Sequence, residues 1–372
     1  MRKRLLWILL ALSLGIYATG CGKKEEETIA PAEEEFSTED EVLEEEEPEV
    51  EEEEEEEPEV APEGMYRSEL TNEWISEDLK EQRPIAVMVD NEKTALPHYG
   101  LTQADVIYEM MNSTQNDQIT RFMVLIKDYD SIDQIGSVRS VRPTNLMIAP
   151  EWNAIVCHDG GPFYINTYLE KAYVDHFSGT FSRVNNGKPR EFTEYILPGD
   201  MDKNFRNTKV DREYNEYKPT EPHFKFVSEK KPVNMEENAG NFDCTLIDLP
   251  FGHNGSQLDY DEASGTYLYS EYGSAHKDPG NGNQQLAFKN IILQKMSFSQ
   301  LDDHGYMVWN CLGSGEGYYI TDGKAMPISW VKESEQGRTV YRDTNGDEIQ
   351  VNTGKTYIGF VADTRWSELV VK

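Results

Sequence analysis

An acidic segment near the amino terminus limits which part of this 372-residue chain can fold. Residues 22–64 are mainly Glu, Pro, Ala and Val, with 23 acidic groups and an unbroken run of Glu from Glu51 to Glu57. So few apolar side chains cannot bury enough surface to offset the entropy lost on ordering, and the like charges repel one another. We therefore predict a disordered spacer over residues 21–72, with a tether for calcium or a cationic polymer as the alternative.

The first twenty residues have the order of an export signal. Three basic residues precede an apolar run from Leu5 to Ile16, which is too short to span a bilayer comfortably. The sequence Ala18-Thr19-Gly20-Cys21 resembles a bacterial lipobox, in which the cysteine thiol takes a diacylglycerol. We predict that residues 1–20 are a lipoprotein signal peptide. Acyl chains such as palmitate on Cys21 would then anchor the chain to the extracytoplasmic face of the cell membrane. A plain secretory signal with an incidental cysteine is the alternative.

The remaining chain, residues 73–372, is long enough for two domains. Its net charge is −16, because residues 1–64 hold −18 of the total of −34. This charge argues against nucleic acid as a partner, since phosphate binding requires a basic surface. The cysteines Cys157, Cys244 and Cys311 lack the spacing of a thiolate metal site. We favour three buried thiols over one disulfide with a thiol left over.

Short apolar runs predict strands in the first half of this part: Ile85–Val89, Ala104–Met111, Arg121–Lys127 and Ala154–Cys157. Arg142–Trp152 and Phe163–Tyr173 have helical spacing, and residues 188–231 are polar enough to indicate a loop. Because strands alternate with helices, we predict an α/β (α+β) amino-terminal domain with a layered mixed sheet over residues 73–235.

The second half has a different pattern. Many short apolar runs divided by turn residues predict a mostly antiparallel β domain over residues 236–372. Asn345-Gly346 between two such runs indicates a hairpin. The stretch from Gly313 to Gly317 imitates a phosphate loop but lacks the lysine and the following helix, so it indicates a β-turn.

Several sequence blocks carry a resemblance to a known family. In the first half they are Arg83–Asn91, Gly100–Glu109, Ile119–Met123 and Ile135–Pro143. Together with His276-Lys277-Asp278 and the run from Gly354 to Tyr357, they resemble the YerB-like lipoproteins of Gram-positive bacteria, a family with a two-part domain of unknown function. The resemblance implies the fold and a location at the membrane, but it implies no particular activity.

The stretch from Ser137 to Pro143 contains the arginines of the candidate site. Guanidinium groups form planar, paired hydrogen bonds with phosphate or carboxylate. We predict an anion pocket formed by Arg121, Arg139, Arg142 and the backbone of Gly160 and Gly161. Candidate partners in a surrounding network are Asp90, Asp105, Glu109, His158 and Asp159. The alternative is a purely internal network in which Arg121 and Arg139 pair with Asp90 and Glu109. We expect Arg139 to be structural and Arg142 to face the ligand.

These observations favour a membrane-anchored protein that binds an envelope component, such as a cell-wall polymer, or another exported protein. The sequence has no nucleophile–base motif, and we predict no cofactor and no metal site, since the histidines are scattered. A faint likeness to the LytR-CpsA-Psr transferases supports the alternative of an enzyme acting on an anionic wall glycan or a lipid-linked substrate. Their arginine–aspartate pair is not matched here, because Ser140 follows Arg139. A structural assembly subunit is the third interpretation.

Overall fold

The computed structural model describes residues 60–236 and 240–372. The predicted signal peptide, Cys21 and the acidic run up to residue 59 lie outside these ranges. The folded part begins earlier than the predicted residue 73, because Met65–Arg67 pairs with Trp74–Ser76 and Leu70 packs in the core with 1% exposure. Residues 65–72 therefore belong to the folded unit and not to the spacer.

Helices are few and short in the described residues. The α-helices are α1 (Pro143–Ile148), α2 (Asn166–Leu169) and α3 (Asp200–Asn207). The 3-10 turns are Glu77–Leu79, Lys93–Ala95, Leu101–Gln103, Asn116–Gln118, Tyr129–Ser131, Ala149–Trp152, Phe163–Ile165, Arg190–Phe192, Pro279–Asn281 and Asp363–Glu368. No helix in these residues is both long enough and apolar enough to cross a membrane.

Strands make up most of the regular structure. Those of the amino-terminal half are β1 (Met65–Arg67), β2 (Trp74–Ser76), β3 (Ile85–Asp90), β4 (Val106–Met111), β5 (Thr120–Ile126), β6 (Ile135–Gly136), β7 (Ile155–His158), β8 (His176–Ser178), β9 (Ser182–Arg183), β10 (Glu194–Ile196) and β11 (Lys225–Phe226). Those of the carboxyl-terminal half are β12 (Phe242–Asp243), β13 (Leu246–Asp248), β14 (Gln257–Asp261), β15 (Thr266–Glu271), β16 (Ser274–Ala275), β17 (Lys277–Asp278), β18 (Gln284–Gln285), β19 (Ala287–Phe288), β20 (Asn290–Met296), β21 (Phe298–Gln300), β22 (Met307–Trp309), β23 (Gly313–Thr321), β24 (Lys324–Lys332), β25 (Val340–Arg342), β26 (Gln350–Val351), β27 (Thr356–Ala362) and β28 (Val370–Val371).

One mixed sheet of 11 strands contains strands from both halves. Its order is β12-β24-β23-β20-β27-β4-β5-β3-β7-β8, with β25 also paired to β24. The halves meet where β4 runs parallel to β27, with Val106 opposite Thr356. Because the described residues form one compact unit joined through this sheet, the predicted domain boundary near residue 236 stays a prediction.

The central sheet has an apolar core on each face. Side chains of β3 alternate, so that Ala86 and Met88 enter the core that contains α1, whereas Ile85 and Val87 enter the opposite core. That opposite core includes Leu258 of a second, antiparallel sheet of six strands, ordered β16-β15-β14-β13-β28 with β19 on β15. A mixed sheet with few helices, followed by mostly antiparallel strands, confirms the predicted fold class.

Two local predictions were wrong. Helix α3 and strand β10 lie inside residues 188–231, where a loop was predicted. The glycines from Gly313 to Gly317 belong to the long strand β23, and not to a turn. A Cβ on Gly315 would lie 2.6 Å from the Trp330 ring nitrogen. The glycine therefore makes room for an aromatic side chain of the neighbouring strand β24.

The three cysteines of the described part agree with the favoured interpretation. Cys157, Cys244 and Cys311 are buried and form no disulfide with one another. Burial raises the pKa of each thiol above its usual range. These side chains therefore behave as small apolar groups of the cores.

Candidate functional site

The Ser137–Pro143 stretch crosses the ends of two parallel strands. The Arg139 N–H donates to the Met88 carbonyl of β3 at 2.8 Å, and the Asp159 N–H, just after β7, donates to the Arg139 carbonyl at 3.0 Å. Pro143 then begins α1, a position at which its missing N–H costs nothing. The arginines are thereby held at the carboxyl ends of β3 and β7, where ligands commonly bind in sheets of this kind.

Asp90, the last residue of β3, is shared by two arginines. Its Oδ2 accepts from Arg139 Nε at 2.6 Å and from Arg121 at 3.3 Å, and Asp90 is only 2% exposed. Burial by itself would raise the Asp90 pKa, but the charges of Arg121 and Arg139 hold it below its ordinary value. Arg139 also pairs with the exposed carboxylate of Glu191 at 2.9 Å. Asp90 therefore stays ionised and fixes both guanidinium groups.

Arg142 lacks such a partner. Its guanidinium donates to the Val141 carbonyl at 3.1 Å and lies over the ring of Tyr306, 5.1 Å from the centroid. Within residues 60–236 and 240–372, no carboxylate lies within ion-pair distance of it, and its buried Nε has no hydrogen-bond partner. Partial burial, reinforced by the positive charge of Arg121, lowers the pKa of Arg142 to about 9. Three arginines thus share the two carboxylates of Asp90 and Glu191, which leaves one positive charge uncompensated.

The two predicted glycines lie beside this cluster and form its wall. Both are exposed, and the Gly160 carbonyl accepts from Val141 N–H at 3.1 Å. The Gly160 N–H donates to the Ser178 hydroxyl at 3.2 Å, so it is already engaged within the fold. A Cβ on Gly161 would lie 2.9 Å from the Val141 carbonyl, so the close approach of these two segments requires glycine there.

Aromatic side chains continue the surface from Arg142. The Arg142 guanidinium lies over the ring of Tyr306. This ring is 6.3 Å from the ring of Tyr164, whose hydroxyl donates to Asp302 at 3.2 Å. Phe163 contacts Tyr164 at 3.9 Å between centroids and is 71% exposed. A cationic group therefore lies beside half-buried tyrosine rings that lead to an exposed phenylalanine ring. Tyr306 had no signal in the sequence, because it comes from the distant hairpin of β21 and β22.

His158 and Asp159 are near the cluster but have partners of their own. His158 contacts the Gly160 carbonyl through Nδ1 at 2.8 Å and His176 through Nε2 at 3.1 Å. Burial lowers the pKa of His158 to about 4, so the ring is neutral near pH 7. Asp159 pairs with Arg183 at 2.8 Å. Both residues support the segment behind the arginines.

Asp105 and Glu109 lie elsewhere, which corrects the sequence interpretation. Arg121 is paired across the sheet with Asp90 and with Met110, whereas Glu109 is paired with Phe122. Since neighbouring residues of a strand point to opposite faces, Glu109 faces away from the arginines. There it accepts from buried hydroxyls, including Tyr357 at 2.7 Å. Asp105 precedes β4 and accepts from the Lys127 backbone at 2.6 Å.

A second buried ion pair, which the sequence did not reveal, joins distant parts of the chain. Glu151 is 2% exposed and accepts from Lys332 Nζ at 3.0 Å and from the Thr339 N–H at 2.8 Å. His223 lies beside it, with Nε2 3.5 Å from Glu151, and its ring stacks on Trp152 at 3.7 Å. A cavity of about 260 Å³ opens next to these groups. The ion pair holds together segments from both halves of the chain.

The fold and the site together define a class: a two-part protein whose halves complete one mixed sheet, with an arginine cluster at the strand ends. Residues 70–213 match the family model "Protein of unknown function (DUF3048) N-terminal domain", and residues 247–358 match the corresponding C-terminal domain. The chain belongs to this family, which confirms the resemblance to the YerB-like proteins.

Two comparisons with Bacillus subtilis YerB agree with this assignment. The chain is 24% identical to the YerB of strain 168, whose name describes it as a lipoprotein, over 316 residues that cover 82% of this chain and 86% of YerB. The crystal structure of YerB is similar with a TM-score of 0.67 and 22% identity, covering 80% of this chain and 96% of that one. The relative's name agrees with a membrane-associated lipoprotein, and the structural match shows the fold.

Proposed function

We propose that this protein is a lipid-anchored envelope protein that binds an anionic envelope polymer through Arg142. The observation that carries the proposal is the uncompensated guanidinium at the strand ends. An unpaired, partly buried charge is unfavourable, and a phosphate or carboxylate would relieve that cost by pairing with it. Arg121 and Arg139 are paired with the carboxylate of Asp90, so their role is to support the site. Arg142 has no such partner and is the arginine that would bind the ligand.

The neighbouring rings narrow the class of ligand. Phe163, Tyr164 and Tyr306 offer apolar faces next to the cation. A polymer with anionic groups spaced along a sugar or polyol chain would contact both surfaces, whereas a free phosphate would contact only the arginine. The negative net charge of −34 does not prevent this contact, because charges farther away than about 8 Å are largely screened at physiological salt.

Two alanine variants test which arginine meets the ligand. We expect Arg142→Ala to weaken binding of a phosphate-rich wall polymer at least tenfold, while unfolding free energy changes by less than about 1 kcal/mol. Arg139→Ala should instead cost roughly 3 kcal/mol, because it removes a buried partner of Asp90. Binding is measured by calorimetric titration at two salt concentrations, and stability by denaturant unfolding.

Arg206→Ala on the exposed face of α3 is the matched control and should change neither quantity. Equal polymer binding by the wild type and Arg142→Ala would overturn the proposal. Turnover of the polymer during the titration would instead support the enzymatic alternative. The sequence has no nucleophile–base motif that would support this alternative.

Membrane attachment is tested separately at Cys21. We expect Cys21→Ala to leave an unacylated chain that is released or held only by its uncleaved signal, because the thiol that takes the lipid is gone. Membrane fractionation and mass spectrometry of the mature amino terminus give the answer. A wild-type amino terminus that is unmodified, or that begins at a residue other than Cys21, would contradict the anchor.

A further inference from the structure

We infer that His98, Glu271 and His276 form a buried binding site for one divalent transition-metal ion. One ligand atom from each of these residues lies within 4.8 Å of the other two, and all three residues are buried. The inference departs from the sequence prediction, which found no metal site. It is independent of the proposed polymer binding and would hold if that proposal failed.

The three residues come from distant segments. His98 follows β3 in the amino-terminal half, Glu271 ends β15, and His276 follows β16 in the carboxyl-terminal half. The two imidazole rings have centroids 5.0 Å apart, and Phe122 packs edge-on against both of them. Their exposures are 0% for His98, 2% for Glu271 and 4% for His276. The fold thus brings three ligand side chains into one dry position between its two halves.

The hydrogen bonds of the histidines leave lone pairs without donors. The Asp90 carbonyl only accepts, so His98 Nε2, 2.6 Å away, carries the proton and Nδ1 holds a lone pair. The Glu271 carboxylate likewise accepts from His276 Nδ1 at 2.8 Å, so His276 Nε2 holds a lone pair. Three buried atoms then have no partner in the described part of the chain: His98 Nδ1, His276 Nε2 and Glu271 Oε2.

His98 Nδ1 and Glu271 Oε2 are buried acceptors that lack donors, and a cation bound between them would compensate for this cost. Metal-binding histidines typically donate their second N–H to a backbone carbonyl or a carboxylate, as His98 does to the Asp90 carbonyl. Two imidazoles and one carboxylate are ligands suited to zinc or ferrous iron, and not to calcium or magnesium.

The separation of the ligand atoms fits an ion after a small adjustment. With bonds of about 2.0–2.1 Å, neighbouring ligands of a tetrahedral zinc ion lie about 3.4 Å apart. The separations of up to 4.8 Å therefore need to close by at most about 1.4 Å on binding. His276 Nδ1 already lies 2.8 Å from the Glu271 carboxylate, and its proton would leave when the ion takes that place. The ion would tie the loop after β3 to the second sheet and thereby stabilise the joint between the halves.

The full-length chain, freed of metal with a chelator and dialysed, is titrated with Zn²⁺ and then with Co²⁺. We expect one ion per chain by elemental analysis, a rise in melting temperature of several degrees, and a cobalt absorption spectrum with nitrogen and oxygen ligands. His98→Gln and His276→Gln should each weaken zinc binding at least 100-fold. His304→Gln is the matched control, because its side chain is 84% exposed and lies outside the cluster, and it should bind as the wild type does.

Glu271→Asp provides a milder variant if either glutamine variant fails to fold, and it should weaken zinc binding while circular dichroism stays unchanged. A folded wild type that binds no Zn²⁺ or Co²⁺ would overturn the inference. Undiminished binding by the folded cluster variants would overturn it equally, since the ion would then lie elsewhere.

Discussion

Replacing Asp90 by Asn is expected to lower the free energy of unfolding by roughly 3–5 kcal/mol. The carboxylate is 2% exposed and shared by Arg121 and Arg139, so its loss leaves two partly buried guanidinium groups facing an amide. If the side-chain nitrogen of the new Asn takes the place of Oδ2, its N–H donors also face the N–H donors of the two arginines. Denaturant unfolding measures the effect. The slope of the unfolding free energy against denaturant concentration should stay unchanged.

Asp133→Asn is the matched control for this variant, because Asp133 is exposed and lies near the same segment. We expect its change in stability to stay within about 0.5 kcal/mol. The backbone carbonyl of Asp90, which accepts from His98, is retained in Asp90→Asn, so zinc binding tests the metal site independently. A loss below about 1 kcal/mol for Asp90→Asn would show that the arginines do not depend on this carboxylate.

Replacing Glu151 by Gln should cost a similar amount, roughly 3–5 kcal/mol, because Lys332 would keep its charge in a site where it is only 2% exposed. The same variant should lose part of the pH dependence of stability. Burial by itself would raise the Glu151 pKa, but the charge of Lys332 and the contact with His223 hold it at about 2, below its ordinary value of 4.5.

The sign of this pH effect follows from the lowered pKa. A carboxyl group with a lower pKa in the folded state contributes stability above its unfolded pKa and loses it as the pH falls. Between about pH 4.5 and 2 the wild type should therefore lose about 3 kcal/mol through Glu151. Glu151→Gln should lack this loss, whereas Glu170→Gln, an exposed control, should keep it. Parallel acid-unfolding curves for the wild type and Glu151→Gln would contradict the assignment.

The strands could be predicted because their pattern is local. Ile85–Val89 and Arg121–Lys127 were assigned within one or two residues of β3 and β5, since continuous apolar runs bounded by polar residues indicate buried strands. The strand at Gly313 to Gly317 was missed because one of its glycines, Gly315, makes room for the Trp330 side chain of β24. That requirement is a tertiary contact and leaves no periodic signal.

The candidate site was predicted only in part. Arg121, Arg139 and Asp90 were named from the sequence and do meet, because Asp90 is paired with Arg121 between β3 and β5 and the Arg139 backbone binds the end of β3. Glu109 was assigned to the same network, but the register pairs it with Phe122 on the other face. A shift of one residue decides the face of a strand, and the sequence alone does not fix the register.

The sequence by itself determined the apolar strands, the mixed and antiparallel fold class, and the family. The strands and the fold class follow from short-range patterns of apolar residues. The family follows from sequence blocks that occur in the order typical of its members. Only the tertiary structure decided which charges are compensated: it gives Asp90 to two arginines, leaves Arg142 over Tyr306, and brings His98 to Glu271 and His276. The physical reason is that ion pairing and coordination depend on distances of a few ångströms between residues far apart in the chain.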